Sequence, residues 1–408
     1  MRETIETWAH SKELTTAVDQ AIDSAFGCTR RTVRKNLAAL TTSFLGVLGA
    51  ARSGQGRLSL ATLYRLLPTN GSPHAREKRL GRFLNNKGLD PHGVSSGLAK
   101  LIFGKKGQGL WPVVFDQTKA GSTQSLVAGV PFEGRVMPLA AYTFDYPWKT
   151  IAPHSQNDLE RIFLIDVQSA LPAGVKAVFI GDRGFARAAL LRQCWDERRL
   201  FIIRGRRGTV VYHQGKRTKL GDLKTKAHKA KRFHSVLYHA KQQVPVDIIV
   251  YREPAFDETW YLLVPPFSEE ILGASQVVDL YRQRMKIEQA FRDFKTHLGL
   301  RGLKLKVRIA ERMGRLILAF LIAYCLALLL GISDEAYGAR RDLEILRTKP
   351  RHGTRRTLSV LFIAMQMLSH PKHKDRALWR LRQIAGRIAD GLPALPPELS
   401  PLQDSVAA

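Results

Sequence analysis

The chain has 408 residues, a formal net charge of +29 and a hydrophobic content of 45%. This hydrophobic content excludes a disordered basic protein. Three cysteines without CxxC spacing exclude a secreted disulfide scaffold and argue against structural zinc. The first residues lack the apolar run of a signal peptide, so we expect a cytosolic protein. Positive charge spread over most of the chain predicts a polyanionic partner, because lysine and arginine displace counterions from phosphates.

Residues 1–100 are predicted to form a helical and basic region. Ala17, Ile22 and Phe26 indicate a first amphipathic helix, and a second is predicted over 33–48. One hypothesis is a DNA-binding region, and the alternative is a helical packing domain with a solvated basic face. The pattern does not single out a helix that would recognise bases.

The periodicity changes to that of strands in the next segment, 101–205. Bulky β-branched runs predict strands at 111–118 and 176–182, with TQSLVAGV, RVMPLAAYTF and LFIIRGR as further strands. A helix is predicted over 155–171, and GFARAALLRQCWDERR is predicted to form another. Three consecutive strands followed by strands that alternate with helices indicate an α/β fold, with a mixed sheet covered by helices.

The remaining chain divides into three predicted segments. Residues 206–270 form a β-rich insertion, and 271–333 complete the core, with a long helix that begins near Ser275. Residues 334–408 form a helical region with a disordered Pro-rich tail from residue 392. Fifteen apolar residues at 316–330 favour a buried core helix over a membrane span, which needs about 20 residues.

Two aspartates end predicted buried strands: Asp116 in PVVFD and Asp182 in AVFIGD. A carboxylate at the mouth of a buried strand is unfavourable unless it is paired, hydrogen-bonded or bound to a metal. If the two strands are neighbours, the carboxylates would form the oxygen-rich environment that Mg²⁺ prefers. The alternative is an ordinary turn or helix cap, which Gly184 favours because it eases a strand-to-helix turn.

The long helix carries Tyr281, Arg284, Glu288 and Lys295 at spacings of three, four and seven. At about 100° per residue these side chains fall within an arc of roughly 60°. The adjoining face holds an apolar stripe suited to packing on the sheet, formed by Ile287, Phe291, Phe294 and Leu298. An i,i+4 ion-pair ladder would explain Arg284 and Glu288, but it leaves Tyr281 and Lys295 unexplained.

The spacing Tyr-(2)-Arg-(3)-Glu-(6)-Lys resembles the helix motif of the DDE transposases of the insertion-sequence-four group. The resemblance covers most of the chain, including Asp116 after VVF and Asp182 in GDRGF. It implies a ribonuclease-H-like mixed α/β sheet with helices, a β-rich insertion, and helical N- and C-terminal regions.

The resemblance also implies roles for individual residues. The catalytic residues would hold two Mg²⁺ ions about 4 Å apart, with Mn²⁺ expected to substitute, and they would be Asp116, Asp182 and Glu288. The residues that contact DNA phosphates would be Tyr281, Arg284 and Lys295. Trp260 would stack on a base flipped out of the duplex, although an aromatic residue on a strand ordinarily packs in the core.

The implied activity is cut-and-paste transposition: Mg²⁺-dependent cleavage of double-stranded DNA at transposon terminal repeats, with a hairpin step, and strand transfer into target DNA. The implied assembly is a DNA-bridged homodimer. From their position in the chain, we expect the helices after residue 335 to form the dimer contacts. We expect the protein in the bacterial cytoplasm, associated with the nucleoid and with no membrane. Three alternatives stay open. They are a catalytically inactive DNA-binding regulator that occupies transposon ends, a ribonuclease-H-like nuclease that hydrolyses without joining, and a membrane protein.

Overall fold

The computed structural model describes residues 11–27, 29–51, 58–89, 94–120, 123–145, 155–252, 258–297, 310–344 and 358–395. Leu298 of the predicted apolar stripe lies outside the described residues, as does most of the predicted Pro-rich tail.

Helices and strands follow the order that the sequence predicts. The described helices are α1 (Lys12–Ala25), α2 (Arg31–Ala51), α3 (Leu60–Arg65), α4 (Pro73–Leu84), α5 (Ser95–Phe103), α6 (Gln156–Ala170), α7 (Ala188–Asp196), α8 (Ala274–Gln283), α9 (Met285–Arg292), α10 (Ala310–Gly331), α11 (Asp334–Leu343), α12 (Val360–Ser369) and α13 (Lys374–Ala389). The described strands are β1 (Gln108–Ala120), β2 (Thr123–Phe132), β3 (Arg135–Asp145), β4 (Gly174–Gly181), β5 (Leu200–Arg204), β6 (Val210–His213), β7 (Lys216–Lys219), β8 (Lys231–Tyr238), β9 (Val244–Tyr251) and β10 (Trp260–Val264).

All described strands join one ten-stranded mixed sheet, in the order β3-β2-β1-β4-β5-β10-β9-β8-β6-β7. The first three strands form an antiparallel meander, and β4 and β5 then run parallel to β1. The helix α7 connects the parallel strands β4 and β5, as parallel pairing requires a crossover, and α6 connects β3 to β4. This order and these directions are the ribonuclease-H-like arrangement, so the predicted mixed α/β fold class is confirmed.

The register of β1 against β4 determines where the two predicted catalytic aspartates lie. The two strands pair in parallel up to Val114 and Ile180. Asp116 and Asp182 each follow two residues later, so they lie side by side where this pairing ends. The prediction that Asp116 ends its strand was wrong, because β1 continues to Ala120. It continues because β2 still pairs with it there, with Asp116 opposite Val127.

The β-rich segment extends the core sheet from the edge of β5. β10 pairs antiparallel with β5, and the strands from β9 outward add to it. β7 was not predicted, because its sequence KRTK has no apolar residue. Positive φ angles at Gln214 and Gly215, 51° and 75°, form the two-residue turn that joins β7 to β6.

Helices cover both faces of the sheet. Successive residues of a strand point to opposite faces. Accordingly Asp116 faces Arg284, just before α9, whereas Gln117 faces Glu160 of α6 on the other side. α10 packs on β3 and against helices from both ends of the chain. It is long and apolar enough to cross a membrane, but its apolar window is entirely buried in the structure, as the core-helix interpretation predicts.

Helices from the two ends of the chain pack against each other. α1 lies along α13, and α2 packs against both α10 and α12. Their apolar faces, which include Ala17, Ile22 and Phe26, are buried in the common core. The helical character predicted for both terminal regions is therefore seen, while the domain boundaries themselves remain predictions.

The long helix predicted from Ser275 begins at Ala274, but it is not continuous. α8 and α9 meet at Arg284, and a π-helical turn, Asp293–His297, follows α9. The turn is held by Asp293, whose fully buried carboxylate forms an ion pair with Arg135 and accepts a 3.0 Å hydrogen bond from the Tyr324 hydroxyl. Arg135 comes from the β2–β3 hairpin, so three distant segments meet at one carboxylate.

We predict that Arg135→Met destabilises the protein by about 3–5 kcal/mol, because it leaves the Asp293 charge buried without its ion-pair partner. Urea unfolding measures this difference. Arg183→Ala is the control, since Arg183 and Glu258 form an exposed pair at 3.4 Å, and its effect should be less than about 1 kcal/mol. Equal stability of Arg135→Met and the wild type would contradict this account.

Candidate active site

Asp116 and Asp182 form the centre of the candidate site. Burial and, next in importance, the neighbouring Asp182 carboxylate raise the pKa of Asp116 to about 6. The Gln117 N–H donates a 2.7 Å hydrogen bond to Asp116 Oδ1 and opposes the shift. Asp182 is thus close enough to disfavour ionisation of Asp116, as expected for side chains level on adjacent strands.

Glu288, from α9, is linked to Asp116 by the side chain of Arg284. The Arg284 guanidinium donates from Nη2 to Glu288 Oε1 at 2.8 Å and from Nη1 to Asp116 Oδ2 at 3.3 Å. Glu288 also contributes to the raised pKa of Asp116. The structure therefore brings Asp116, Asp182 and Glu288 together, and their catalytic role stays a prediction. The i,i+4 ion pair considered for Arg284 and Glu288 is also present, so the two interpretations of this pair are compatible.

Asp182 is held by the turn that follows β4. The Gly184 N–H donates a 2.6 Å hydrogen bond to Asp182 Oδ1, and a Cβ at Gly184 would lie 2.9 Å from that oxygen. Glycine at 184 therefore allows the backbone to approach the carboxylate. Gly184 thus forms the turn that the sequence suggests, and the same turn holds the Asp182 carboxylate in place.

Tyr281 is buried beside the carboxylates and packs edge-on against Trp260, with ring centroids 5.1 Å apart. Burial raises the pKa of the Tyr281 hydroxyl, while the guanidinium groups of Arg284 and Arg204 lower it. Trp260 is only 7% exposed and also contacts Tyr251, with centroids 6.0 Å apart. The core-packing alternative therefore describes Trp260 in this structure, and stacking on a flipped base stays a prediction.

Lys295 lies in the π-helical turn after α9 and is half-buried. Ile287, Phe291 and Phe294 are buried, as the predicted apolar stripe requires, and α9 packs across β1, β2 and β3. This packing turns the other face of the helix, with Glu288, toward the two aspartates.

A buried polar network on the opposite face of the sheet was not predicted. Glu160 of α6 is 2% exposed, forms an ion pair with Arg187, and accepts hydrogen bonds from Gln117 and Gln156 at 2.8 and 3.0 Å. Burial raises the pKa of Glu160, and Arg187 opposes the shift. The network fixes Gln117, the neighbour of Asp116. A signal was present, because Glu160 shares the apolar face of α6 with Phe163, Leu164 and Val167.

A second cluster of possible metal ligands lies in the β-rich segment. Among the described residues, His234, Asp247 and Glu269 form the group whose donor atoms all lie within 4.8 Å of one another. Arg232 forms a 3.1 Å ion pair with Asp247 Oδ2, and the Ser235 N–H donates to Oδ1 at 3.1 Å. Both oxygens of Asp247 thus have protein partners, and the cluster stabilises the bulge in β8.

The donor set of the three candidate carboxylates fits a hard divalent cation, because it consists of oxygen ligands of like charge. A positive charge already bridges two of them: the Arg284 guanidinium contacts both Asp116 and Glu288. A metal ion bound by these two carboxylates would replace that guanidinium.

A ribonuclease-H-like sheet with carboxylates where its central parallel strands end is typical of enzymes that transfer phosphoryl groups on nucleic acid. Residues 153–326 match the family model described as "Transposase DDE domain". The match covers less than half of the chain; it contains Asp182 and Glu288, and Asp116 precedes it. It supports a DDE transposase, a class that generally uses divalent metal ions.

Among solved structures, the chain is similar to a chain of the piggyBac transposase in a synaptic complex with hairpin DNA, determined by cryo-electron microscopy. The identity is 10% and the TM-score 0.38, over 99% of this chain and 88% of that chain, a similarity that carries no functional argument. Among curated proteins, none matches the sequence significantly.

We predict that Asp116→Asn stabilises the protein in EDTA at pH 7, by about 1 kcal/mol, because it removes a charge that burial and the neighbouring Asp182 carboxylate disfavour. Arg284 retains Glu288 as a partner in this variant. Thermal unfolding with EDTA and with Mg²⁺ measures both the stability and the metal-induced shift, and the variant should lose that shift.

Asp375→Asn removes a surface carboxylate from α13 and is the control; it should preserve the Mg²⁺-induced shift. A destabilised Asp116→Asn protein in EDTA would show that the three carboxylates do not strain the metal-free site.

Proposed function

We propose that the protein is a cut-and-paste DNA transposase of the insertion-sequence-four group, which cleaves DNA at transposon ends and joins it to target DNA. The observation that carries this proposal is the convergence of Asp116, Asp182 and Glu288 at one point of a ribonuclease-H-like sheet. A net charge of +29 around an acidic centre suits a polyanionic substrate that reacts at a metal-binding site.

Asp116, Asp182 and Glu288 would hold two Mg²⁺ ions, with Mn²⁺ able to substitute. The bound metal would supply Lewis-acid chemistry, by making an attacking hydroxyl more nucleophilic and stabilising negative charge on the leaving oxygen. The raised pKa of Asp116 supports this role, because the unfavourable repulsion between carboxylates is relieved when a cation binds.

Three side chains of the same helical segment would bind and orient the DNA backbone. Arg284 has a planar guanidinium suited to phosphate oxygens. This guanidinium lies against the Tyr281 ring, with the Cζ atom of Arg284 5.9 Å from the ring centroid. Once it leaves the carboxylates, Arg284 would be available to a phosphate beside them. Lys295 adds a point charge one turn beyond α9.

The remaining parts of the proposal rest on the family resemblance. Trp260 would contact a base extruded from the duplex, which would require its ring to become more exposed than in this structure. The active assembly would be a homodimer bridged by transposon-end DNA, with the helices after residue 335 at the contact. The protein would act in the bacterial cytoplasm, at the nucleoid.

We predict that Glu288→Gln abolishes cleavage of a plasmid that carries the DNA flanking this gene. The amide retains the size of the side chain but removes a charge that the metal site requires. Mapping of nicks and of joined products in Mg²⁺ measures the loss, and binding of the end DNA should persist. Glu269→Gln, which removes a carboxylate from the second cluster, is the control and should cleave normally.

The same assay separates the alternatives. Cleavage at the element ends with joined products supports the transposase, and cleavage without joining by the wild type indicates a hydrolytic nuclease. Binding without cleavage by the wild type indicates a regulator that only occupies ends. Normal strand cleavage by Glu288→Gln would remove Glu288 from the metal site.

We predict that Lys295→Ala weakens binding to end DNA and lowers the dependence of log Kd on log salt concentration by about one unit, the contribution of one phosphate contact. Fluorescence anisotropy over a range of salt concentrations measures this slope. Lys216→Ala, at the exposed β6–β7 hairpin, is the control. An unchanged slope in Lys295→Ala would assign Lys295 to a solvated surface.

A further inference from the structure

The helix α4 presents a basic face that the protein's own packing does not use. Leu80, Phe83 and Leu84 are buried and hold one side of the helix to the core. The opposite side carries a stripe at helical spacing, exposed except for the half-buried glycine, formed by His74, Lys78, Gly81, Arg82 and Asn85.

Gly81 has no packing role within the described part of the chain. A Cβ added there would meet nothing within 4 Å, although glycine is unfavourable in a helix interior. Two other helical glycines are explained by close neighbours: a Cβ at Gly97 would collide with the ring of Phe26, and one at Gly331 with the carbonyl of Val360. The absence of a side chain at Gly81 therefore suits an external surface that approaches the helix closely.

The basic residues of α4 divide into two groups. Arg76 donates to the carbonyl oxygens of Thr69 and Arg65, and Arg79 donates to Asn36 Oδ1 at 2.7 Å, so both fix the helix to its surroundings. Lys78 and Arg82 are exposed. Burial and the charge of Arg82 lower the pKa of Arg79, so two like charges lie near each other, and a bound anion would relieve their repulsion.

The position of α4 is fixed relative to the catalytic sheet. Arg315 of α10, which is 5% exposed, donates to the carbonyl oxygens of Leu84 and Leu89 at 2.7 and 3.3 Å. These bonds satisfy the carbonyl of the last residue of α4 and one in the segment that follows it, and they tie α4 to the core helix that packs on β3. A helix held in this way can set the distance between bound DNA and the catalytic carboxylates.

We propose that α4 inserts into a groove of the transposon-end duplex, with Gly81 at the point of closest approach and Lys78 and Arg82 in contact with DNA. This inference rests on the proposed function and deepens it by assigning the helix that recognises the substrate. The two charged residues of this face, Lys78 and Arg82, are both cationic, and the whole helix carries four cationic residues against one acidic residue, Glu77, which favours DNA over a protein partner. An α-helix has a diameter of about 10–12 Å, which the major groove of about 12 Å admits.

The decisive variant is Gly81→Ala in the full-length protein. Its added methyl group meets no atom of the described residues within 4 Å and raises helix propensity, so the melting temperature should be unchanged or higher. Binding to the end duplex should weaken by about tenfold, the effect of losing one specific contact. The probes are fluorescein-labelled duplexes tiled over the DNA that flanks the gene, with scrambled duplexes for comparison.

Gly386→Ala is the matched control, because a Cβ at Gly386 of α13 also meets nothing within 4 Å. It should have the same effect on melting temperature and none on DNA binding. Lys78→Ala and Arg82→Ala should each weaken binding and lower the salt slope by about one unit for each phosphate contact, while Arg382→Ala, on the exposed face of α13, should do neither.

The outcomes separate failure of this inference from failure of the proposed function. If the wild type prefers a flanking duplex and Gly81→Ala retains that preference with unchanged affinity, α4 does not enter the groove, and the transposase proposal stands. If Gly81→Ala and Gly386→Ala weaken binding equally, the assignment to α4 also fails. If the wild type shows no preference for any flanking duplex, both proposals fail.

Discussion

The mutual repulsion of three carboxylates is the constraint on which the candidate site depends. Asp116, Asp182 and Glu288 come from segments far apart in the chain, and the pKa of Asp116 is raised by its burial and by the charges of the other two carboxylates. Arg284 offsets this repulsion by bridging two of them. A site that is strained without a cation gains more free energy when a cation binds, so the same repulsion that disfavours the metal-free fold favours metal binding. Stability and function are therefore in opposition at this point of the sheet.

The surrounding fold has to hold these charges against their repulsion. Parallel pairing of β1 with β4 fixes the two aspartates at the same level, and the Gly184 turn holds Asp182 through a 2.6 Å hydrogen bond. The ion pair between Arg135 and Asp293 fixes the π-helical turn that follows α9. Residues outside the site thus determine its geometry, since each carboxylate is positioned by backbone pairing or by a buried polar contact rather than by the other carboxylates.

Sequence patterns predicted regular elements well where the apolar periodicity was strong, and less well where pairing or tertiary contacts decided the outcome. The run at 111–118 predicts a strand, yet its continuation to Ala120 depends on β2 as a partner. The helix start near Ser275 follows from periodicity, whereas the interruption at Arg284 is not visible in it. The sequence around Trp260 does not show whether its ring packs on Tyr281 or faces a ligand, so only the burial of the ring distinguishes the two.

The sequence by itself determined the fold class, the helix face that carries Tyr281, Arg284 and Glu288, and the two aspartates after hydrophobic strand residues. These features are local: they follow from side-chain periodicity and from the unfavourable burial of a charge, which need no knowledge of distant segments. The tertiary structure decided which strands became neighbours, and it alone revealed the buried Glu160 network and the Arg284 bridge. Non-local pairing depends on the packing of the whole chain, and no periodicity within one segment records the identity of its partner.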